Sequence, residues 1–357
     1  MRTRSLLLVI LVLVLGSIVF GCRSTSPQSD TGDAAPTATV ETEEGNNVSS
    51  ATPTTEGPDA DTEEDDTAVL ELVALVDGEP ITAEAFREAR TAYYDQYAML
   101  YAEETEGSLS TALEGASGYL LGLQLDNEVL EQLTYRMLIE REVAARHITV
   151  DEEVVEAQQE IELQALLAQQ GMTEAEFSAQ LEDLGYAYVQ FLADARESIR
   201  LQLQIQAVKQ AIAGDRTLSD AEVDERFESW YGSARKAVPV VVYNPYIAAL
   251  REREQSIDLG IVAFEELLME EETANPYICY ILGGLYQQKR NDALARVAST
   301  SGPDAEALAV EAEYYGKKAL NRLYEARDWL AQYGTTDEAI EARIEILEQT
   351  VEYDLTL

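Results

Sequence analysis

The sequence predicts a mainly α-helical protein, and three observations carry that prediction. No proline occurs between Ile81 and Val238. The same stretch relies on Ala, Leu, Glu, Gln and Arg, the residues that cost least in a helix interior. Apolar residues recur at helical spacing, most clearly at Leu130, Leu133, Met137, Leu138 and Val143 between Asn127 and Arg146. A short β-hairpin at the start of the folded part is the one exception.

That hairpin comes first. Residues 69–76 read Val-Leu-Glu-Leu-Val-Ala-Leu-Val, and Asp77-Gly78 is a hairpin turn signal. Pro80 argues against a long central strand. Thr82 caps a helix to about Glu104 that carries Phe86, Tyr93, Tyr94, Tyr97 and Tyr101. Gly107 to Gly122, with four glycines, reads as a looser region. After the helix ending at Arg146, Asp151 caps the next one, to about Gln170. Thr173 and Glu176 match a capping box ahead of Phe177 and Leu181, and Gly185 stops that short helix. Tyr188 to Gly214 is a long helix. Leu218-Ser219-Asp220-Ala221-Glu222 opens another, through Phe227 and Trp230. Beyond Val238-Pro239-Val240-Val241-Val242 the pattern is helical again. Tyr246–Asp258 and Ile261–Glu271 form a pair, Asn275-Pro276 starts a further helix, and Asp337 to about Tyr353 ends the fold.

Four stretches, in order, resemble one family. Val73 to Thr82, followed by the helix with Phe86, is similar to the opening of the SurA/PrsA-type periplasmic chaperone domain. Leu133 to Val154 resembles its core helix and following turn, Gly171 to Tyr186 its next segment, and Leu218 to Val223 its last. The resemblance implies a domain that cradles unfolded or partly folded exported proteins. In that family a parvulin prolyl isomerase domain usually follows, with a site that commonly includes two histidines. This chain has one histidine, His147, within the chaperone-like region, so isomerase activity is not supported. His147 sits at a helix end, where a cation meets a favourable dipole.

Farther on, Leu282-Gly283-Gly284-Leu285-Tyr286 resembles the first helix of a tetratricopeptide repeat, and Ala312 to Leu320 its second. The two halves stand about 17 residues farther apart than that repeat's spacing. The expectation is elongated, repeat-like helical hairpins offering a concave surface to a partner, with a plain supporting bundle as the alternative.

The first 22 residues carry an address. Arg2 and Arg4 precede an apolar run from Leu6 to Leu15, and Val19-Phe20-Gly21-Cys22 closes it. This resembles the lipobox of bacterial lipoproteins, which implies cleavage after Gly21 and acylation of Cys22. An uncleaved anchor is the alternative. Either way the rest of the chain works outside the cytoplasm, tethered to a membrane. Residues 23–68 are Ser, Thr, Pro, Gly, Asn, Asp and Glu with almost no large apolar side chain, a tether with a mean reach of about 40 Å. With Cys22 lipidated, Cys279 has no disulfide partner. The expected organisation is a signal peptide over 1–21, a tether over 22–68, a SurA-like domain over 69–237 and a repeat-like region over 238–357.

Charge excludes several function classes. The chain has 67 acidic and 25 basic residues, a net charge of −42, and residues 69–357 alone carry about −33. Neutralising phosphate needs basic surface, so nucleic acid is not a partner, and anionic lipid is disfavoured as a docking surface. Acidity with only five lysines fits either a saline habitat or attraction to basic, unfolded clients. One histidine and one unlipidated cysteine leave no transition-metal set, and no cofactor fingerprint appears. Tyrosine outnumbers phenylalanine 19 to six, and its apolar body with a polar tip suits varied partners. Candidate client-binding residues are Tyr94, Tyr97 and Tyr101, then Tyr186, Tyr188 and Phe191, then Trp230 and Tyr231. The preferred reading is a lipid-anchored envelope protein that binds unfolded or assembling exported proteins without catalysis or cofactor. The alternative is a scaffold that binds one folded envelope partner through the repeat-like region. A divergent prolyl isomerase is the third.

Overall fold

The computed structural model describes residues 71–354, apart from 106, 184, 216 and 271–274. The expected signal peptide, the lipidation at Cys22 and the tether lie outside the described residues. Asp77 and Gly78 both adopt positive φ, 52° and 84°, as the tight turn joining β1 (Leu72–Val76) to β2 (Glu79–Thr82) requires. Strand β3 (Val240–Val242) pairs with the other side of β1, so the antiparallel sheet has the order β2-β1-β3. The valine run after Val238 therefore completes the first sheet, and the described residues beyond it are helical.

Among the described residues everything else regular is α-helix, as the sequence predicts. The helices are α1 (Ala83–Thr105), α2 (Leu109–Ala112), α3 (Gly115–Ala145), α4 (Glu152–Gln170), α5 (Glu174–Asp183), α6 (Tyr188–Ala213) and α7 (Asp220–Ala237). After β3 come α8 (Pro245–Gln255), α9 (Ile257–Glu270), α10 (Pro276–Ser299), α11 (Pro303–Gln332) and α12 (Glu338–Asp354). The capping chemistry sits where the sequence places it. Asp151 accepts the Glu153 N–H at 3.0 Å. Thr173 and Glu176 cap each other's backbone N–H groups at 3.3 and 2.8 Å, and Ser219 and Glu222 do so at 3.4 and 2.9 Å. Asn244 and Asn275 cap two of the three helices that open on proline. His147 is exposed just past α3, at φ 54°, where the chain turns out of the helix.

The glycine-rich stretch 107–122 is not loose. Only 107–114 turns, through the single-turn α2, and α3 then runs 31 residues, about 46 Å. The physical reason is contact. A Cβ on Gly118 would lie 2.1 Å from the Leu113 carbonyl carbon, so glycine lets the preceding turn close on the helix. The break between α8 and α9 likewise falls at extended Ser256. Gly260 lies inside α9, tight against Arg253.

Helix α3 is the spine of the molecule, and three cores lie along it in sequence order. Ala116 and Leu123 join the largest core with residues of α8 to α12. Val129 and Leu130 pack with Ala74 and Val76 of β1, Ile81 of β2, Phe86 of α1 and Ile247 of α8. Ile139 packs with Leu201 and Val208 of α6 and Phe227 of α7. A fourth, smaller core joins α4, α5 and the start of α6 through Leu163, Leu166, Leu167, Phe177, Leu181 and Phe191.

Polar contacts pin the spine at both ends and in the middle. At its start, Asp337 accepts the Ala116 N–H at 2.6 Å through one oxygen and the Ala339 and Ile340 N–H groups at 2.9 and 3.2 Å through the other. One carboxylate thus caps two helices 221 residues apart. Near its end, Arg141 reaches Asp77 at 2.9 Å, Val76 O at 2.9 Å and Glu79 at 3.2 Å, holding the hairpin. In the middle, Glu131 takes two hydrogen bonds from Arg235 of α7, at 2.7 and 3.0 Å, and one from Arg251 of α8. Burial alone would push the Glu131 carboxyl up, but the Arg235 hydrogen bonds and the charges of Arg251 and Arg235 hold it below the usual carboxylate range.

Helices α10 and α11 form a long antiparallel pair that dominates the largest core. Ile278, Cys279, Ile281, Leu282 and Leu285 face Ala319, Leu323, Ala326 and Leu330, all buried. A Cβ on Gly283 would meet Leu323 Cγ at 2.8 Å, so the close approach needs glycine there.

Candidate functional site

Helices α1 and α6 both pack on α3, and an apolar groove of about 160 Å³ opens between them. Spacing within each helix builds it. Helix α1 turns Ala89, Ala92, Tyr93 and Gln96 to one side, at i, i+3, i+4 and i+7. Helix α3 supplies Gln132, Leu133, Tyr135 and Arg136, and α6 supplies Leu201 and Ile205 one turn apart. The alanines leave space where larger side chains would have closed the gap. Arg136 pairs with Glu140 at 2.8 Å and with Glu197 at 3.6 Å, so the one cation of the lining is already engaged.

A tyrosine ladder runs on from the groove. Tyr93, Tyr97 and Tyr101 stack in sequence with ring centroids 6.3 Å apart at each step, across two turns or about 12 Å of α1. All three are half-buried, and Leu100 beside them is 44% exposed. Burial, then the negative charge of Glu128 and the neighbouring Tyr97, pushes the Tyr93 phenol up to about 12, so it remains a neutral donor.

Each sequence-derived candidate has a definite place. Tyr97 and Tyr101 belong to the ladder. Tyr94 does not. Its ring turns toward α3, with the hydroxyl 2.8 Å from Asp126 and 3.0 Å from Gly122 O, and the Arg90 guanidinium covers the ring at 4.4 Å. Burial and then Asp126 raise its pKa. One residue of offset rotates a side chain by about 100° on a helix, which separates Tyr94 from the stack. Tyr186 and Tyr188 lie in the fourth core, hydrogen-bonded to Asp194 and, at 2.7 Å, to Glu174. Burial followed by Asp194 raises the Tyr186 phenol to about 12. Phe191 is 3% exposed and packs edge-on to Phe177 at 5.2 Å, so it is core and offers no surface to a partner. Trp230 leans on Phe227 at 5.4 Å. Tyr231 meets Tyr135 edge-on at 5.2 Å and so backs a groove residue. The groove residues Ala89, Ala92, Tyr135, Leu201 and Ile205 were missed as a set, because they join only when three helices pack. The spacing of Ala89, Ala92, Tyr93 and Gln96 was the available signal.

Among the described residues no cluster of three or more His, Cys, Asp or Glu side chains is arranged to hold a metal ion. No described helix is long and apolar enough to cross a membrane. No curated protein and no solved structure matches the chain. Residues 56–206 match the family described as the SurA-like N-terminal domain. That match takes in β1, β2 and every residue lining the groove between α1, α3 and α6. Over this stretch, less than half of the chain, the sequence is similar to a SurA-like N-terminal domain.

Proposed function

We propose that the chain is a lipid-anchored, chaperone-like protein of the cell envelope that binds unfolded or assembling exported proteins and does no chemistry on them. The observation that supports this reading is the groove between α1, α3 and α6, lined mainly by alanine, leucine, isoleucine and tyrosine and continued by the tyrosine ladder. Apolar surface of this kind gains up to about 1.5–3 kcal/mol for each large side chain a client buries in it. Several such contacts, each shallow, hold an unfolded segment and release it without ATP. Tyr97 and Tyr101, with Tyr93 and Tyr135, are the side chains assigned to first contact. The acidic surface favours basic stretches of the client, and the lipid on Cys22 with its tether keeps the domain near the membrane.

A second reading, one dedicated folded partner, draws on the stripe Val310, Tyr314 and Lys318 on α11. Val310 is 67% exposed and Tyr314 54%, and Lys318 lies 5.9 Å from the Tyr314 ring.

The test follows light scattering while an unfolded outer-membrane protein is diluted into the full chain held in lipid nanodiscs. The salt concentration is set to screen simple charge attraction. Dose-dependent suppression of aggregation is the expected result. No suppression by a well-folded chain moves the assignment to the dedicated partner, to be trapped by crosslinking in cells.

A further inference from the structure

The two edges of the small sheet are built differently. Strand β2 carries Pro80, which has no N–H to donate, and Glu79, ion-paired to Arg141 at 3.2 Å. Its register with β1 is also irregular between Leu72 and Ala74. Proline, charge and irregular pairing are the devices that stop an edge from recruiting another strand. Strand β3 has none of them within its three residues, and Pro239 just before it turns its backbone toward β1. The strand reads Val240-Val241-Val242 and runs into Tyr243, with Val241 51% and Tyr243 50% exposed.

The hydrogen-bond alternation of an antiparallel ladder says which groups are spare. Tyr243 N–H donates to Val73 O at 2.8 Å, and Asp77 N–H donates to Pro239 O at 2.8 Å. The odd-numbered residues around β3 therefore turn their backbone groups toward β1, and Val240 and Val242 turn theirs away. Val240 and Val242 line an open groove of about 520 Å³, whose other walls include Glu131 of α3, Arg235 of α7 and Arg251, Glu252 and Glu254 of α8.

We infer that β3 is an acceptor strand, taking an extended, lysine- or arginine-bearing peptide segment through the outward N–H and C=O groups of Val240 and Val242. Pairing of this kind reads an extended backbone rather than a side-chain sequence. Charge sets the partner's sign. The groove has three carboxylates against two guanidiniums, and both guanidiniums are engaged by Glu131. Residues 69–357 carry about −33 in all, so a second copy of this chain is repelled where a cationic segment is drawn in. This edge is distinct from the tyrosine-walled groove, and the inference does not rest on that groove's proposed role.

The probe is a short peptide that alternates valine and threonine and ends in lysine on both sides. Hydrogen exchange is followed by mass spectrometry on the full chain in nanodiscs. Binding is expected to slow exchange about tenfold across 238–243, the worth of one to two backbone hydrogen bonds. The same peptide N-methylated at two adjacent central residues, so that neither edge can pair, is expected to protect nothing. Val242→Pro removes an outward N–H, at the expense of some side-chain packing on the sheet core, and should weaken binding about tenfold with the β1 ladder kept. If that variant fails to fold, the methylated peptide on the unaltered chain decides. Unchanged exchange at 238–243, undiminished binding by the methylated peptide, equal binding of a glutamate-ended peptide, or protection from self-association of the chain without peptide would each overturn the inference.

Discussion

The α10–α11 pair and the α1–α3–α6 groove use the same materials, tyrosine and small residues on helix faces, and end in opposite states. In the pair, Gly283 lets Leu323 seat fully, and Tyr286 stacks on Tyr315 at 6.3 Å while donating to Glu265 at 3.0 Å. Leu323 has no exposed surface left. In the groove, Ala89 and Ala92 face Leu201 and Ile205 across a gap, and the tyrosines stack along one helix instead of bridging two. The difference teaches that small residues close a helix pair only when the facing helix brings a side chain to fill the space they leave. Where it does not, the same pattern makes a site. One region supplies stability, and the other keeps apolar surface available.

The harshest way to break this comparison is to deny the closed pair its fit. Gly283→Leu puts a branched side chain where even a Cβ meets Leu323, and is expected to cost about 3 kcal/mol by urea unfolding. Next is the anchor that holds the spine against the closed region. Asp337→Ala removes the cap of α3 and the cap of α12 together, about 2 kcal/mol by the same measurement.

Glu131 sharpens the comparison through pH. Its carboxyl is held below the ordinary range in the folded chain, so its contribution is present above the unfolded value and lost as pH falls through the folded one. The side chain remains 32% exposed, which screens the interaction. Glu131→Gln is expected to cost about 1.5 kcal/mol at neutral pH, and the gap in Tm between variant and parent should shrink as pH drops below the carboxylate range. The smallest effect on stability is expected in the open region. Ala92→Trp fills the groove from α1, changes unfolding free energy by about 0.5 kcal/mol, and weakens retention of an unfolded client about tenfold in the scattering assay.

Much of the fold was legible because it is written locally. Asp77-Gly78 marks the hairpin, and Asp151, Thr173, Ser219 and Asn275 mark helix starts within a residue or two. What was not legible depends on contacts far apart in the chain. The glycines at 118 and 260 read as interruptions, and they are close-approach residues within helices. Tyr94 and Phe191 read as surface aromatics, and their partners, Asp126 and Phe177, decide otherwise. The groove draws on residues 89 to 205, and no window of sequence holds it. The strand pairing of β3 with β1 joins Val76 to Val240 across more than 160 residues of mostly helical chain, and three valines before a helix do not announce their partner.

The most direct test of the central claim places a photo-crosslinking residue at position 92 in the groove or at position 310 on the exposed stripe of α11. Each variant is illuminated with an unfolded outer-membrane protein. The account predicts strong crosslinks from position 92, abolished by excess unlabelled client, and few from position 310. Crosslinks from position 310 alone, to a folded partner or to the client, would contradict it and assign recognition to the α10–α11 pair.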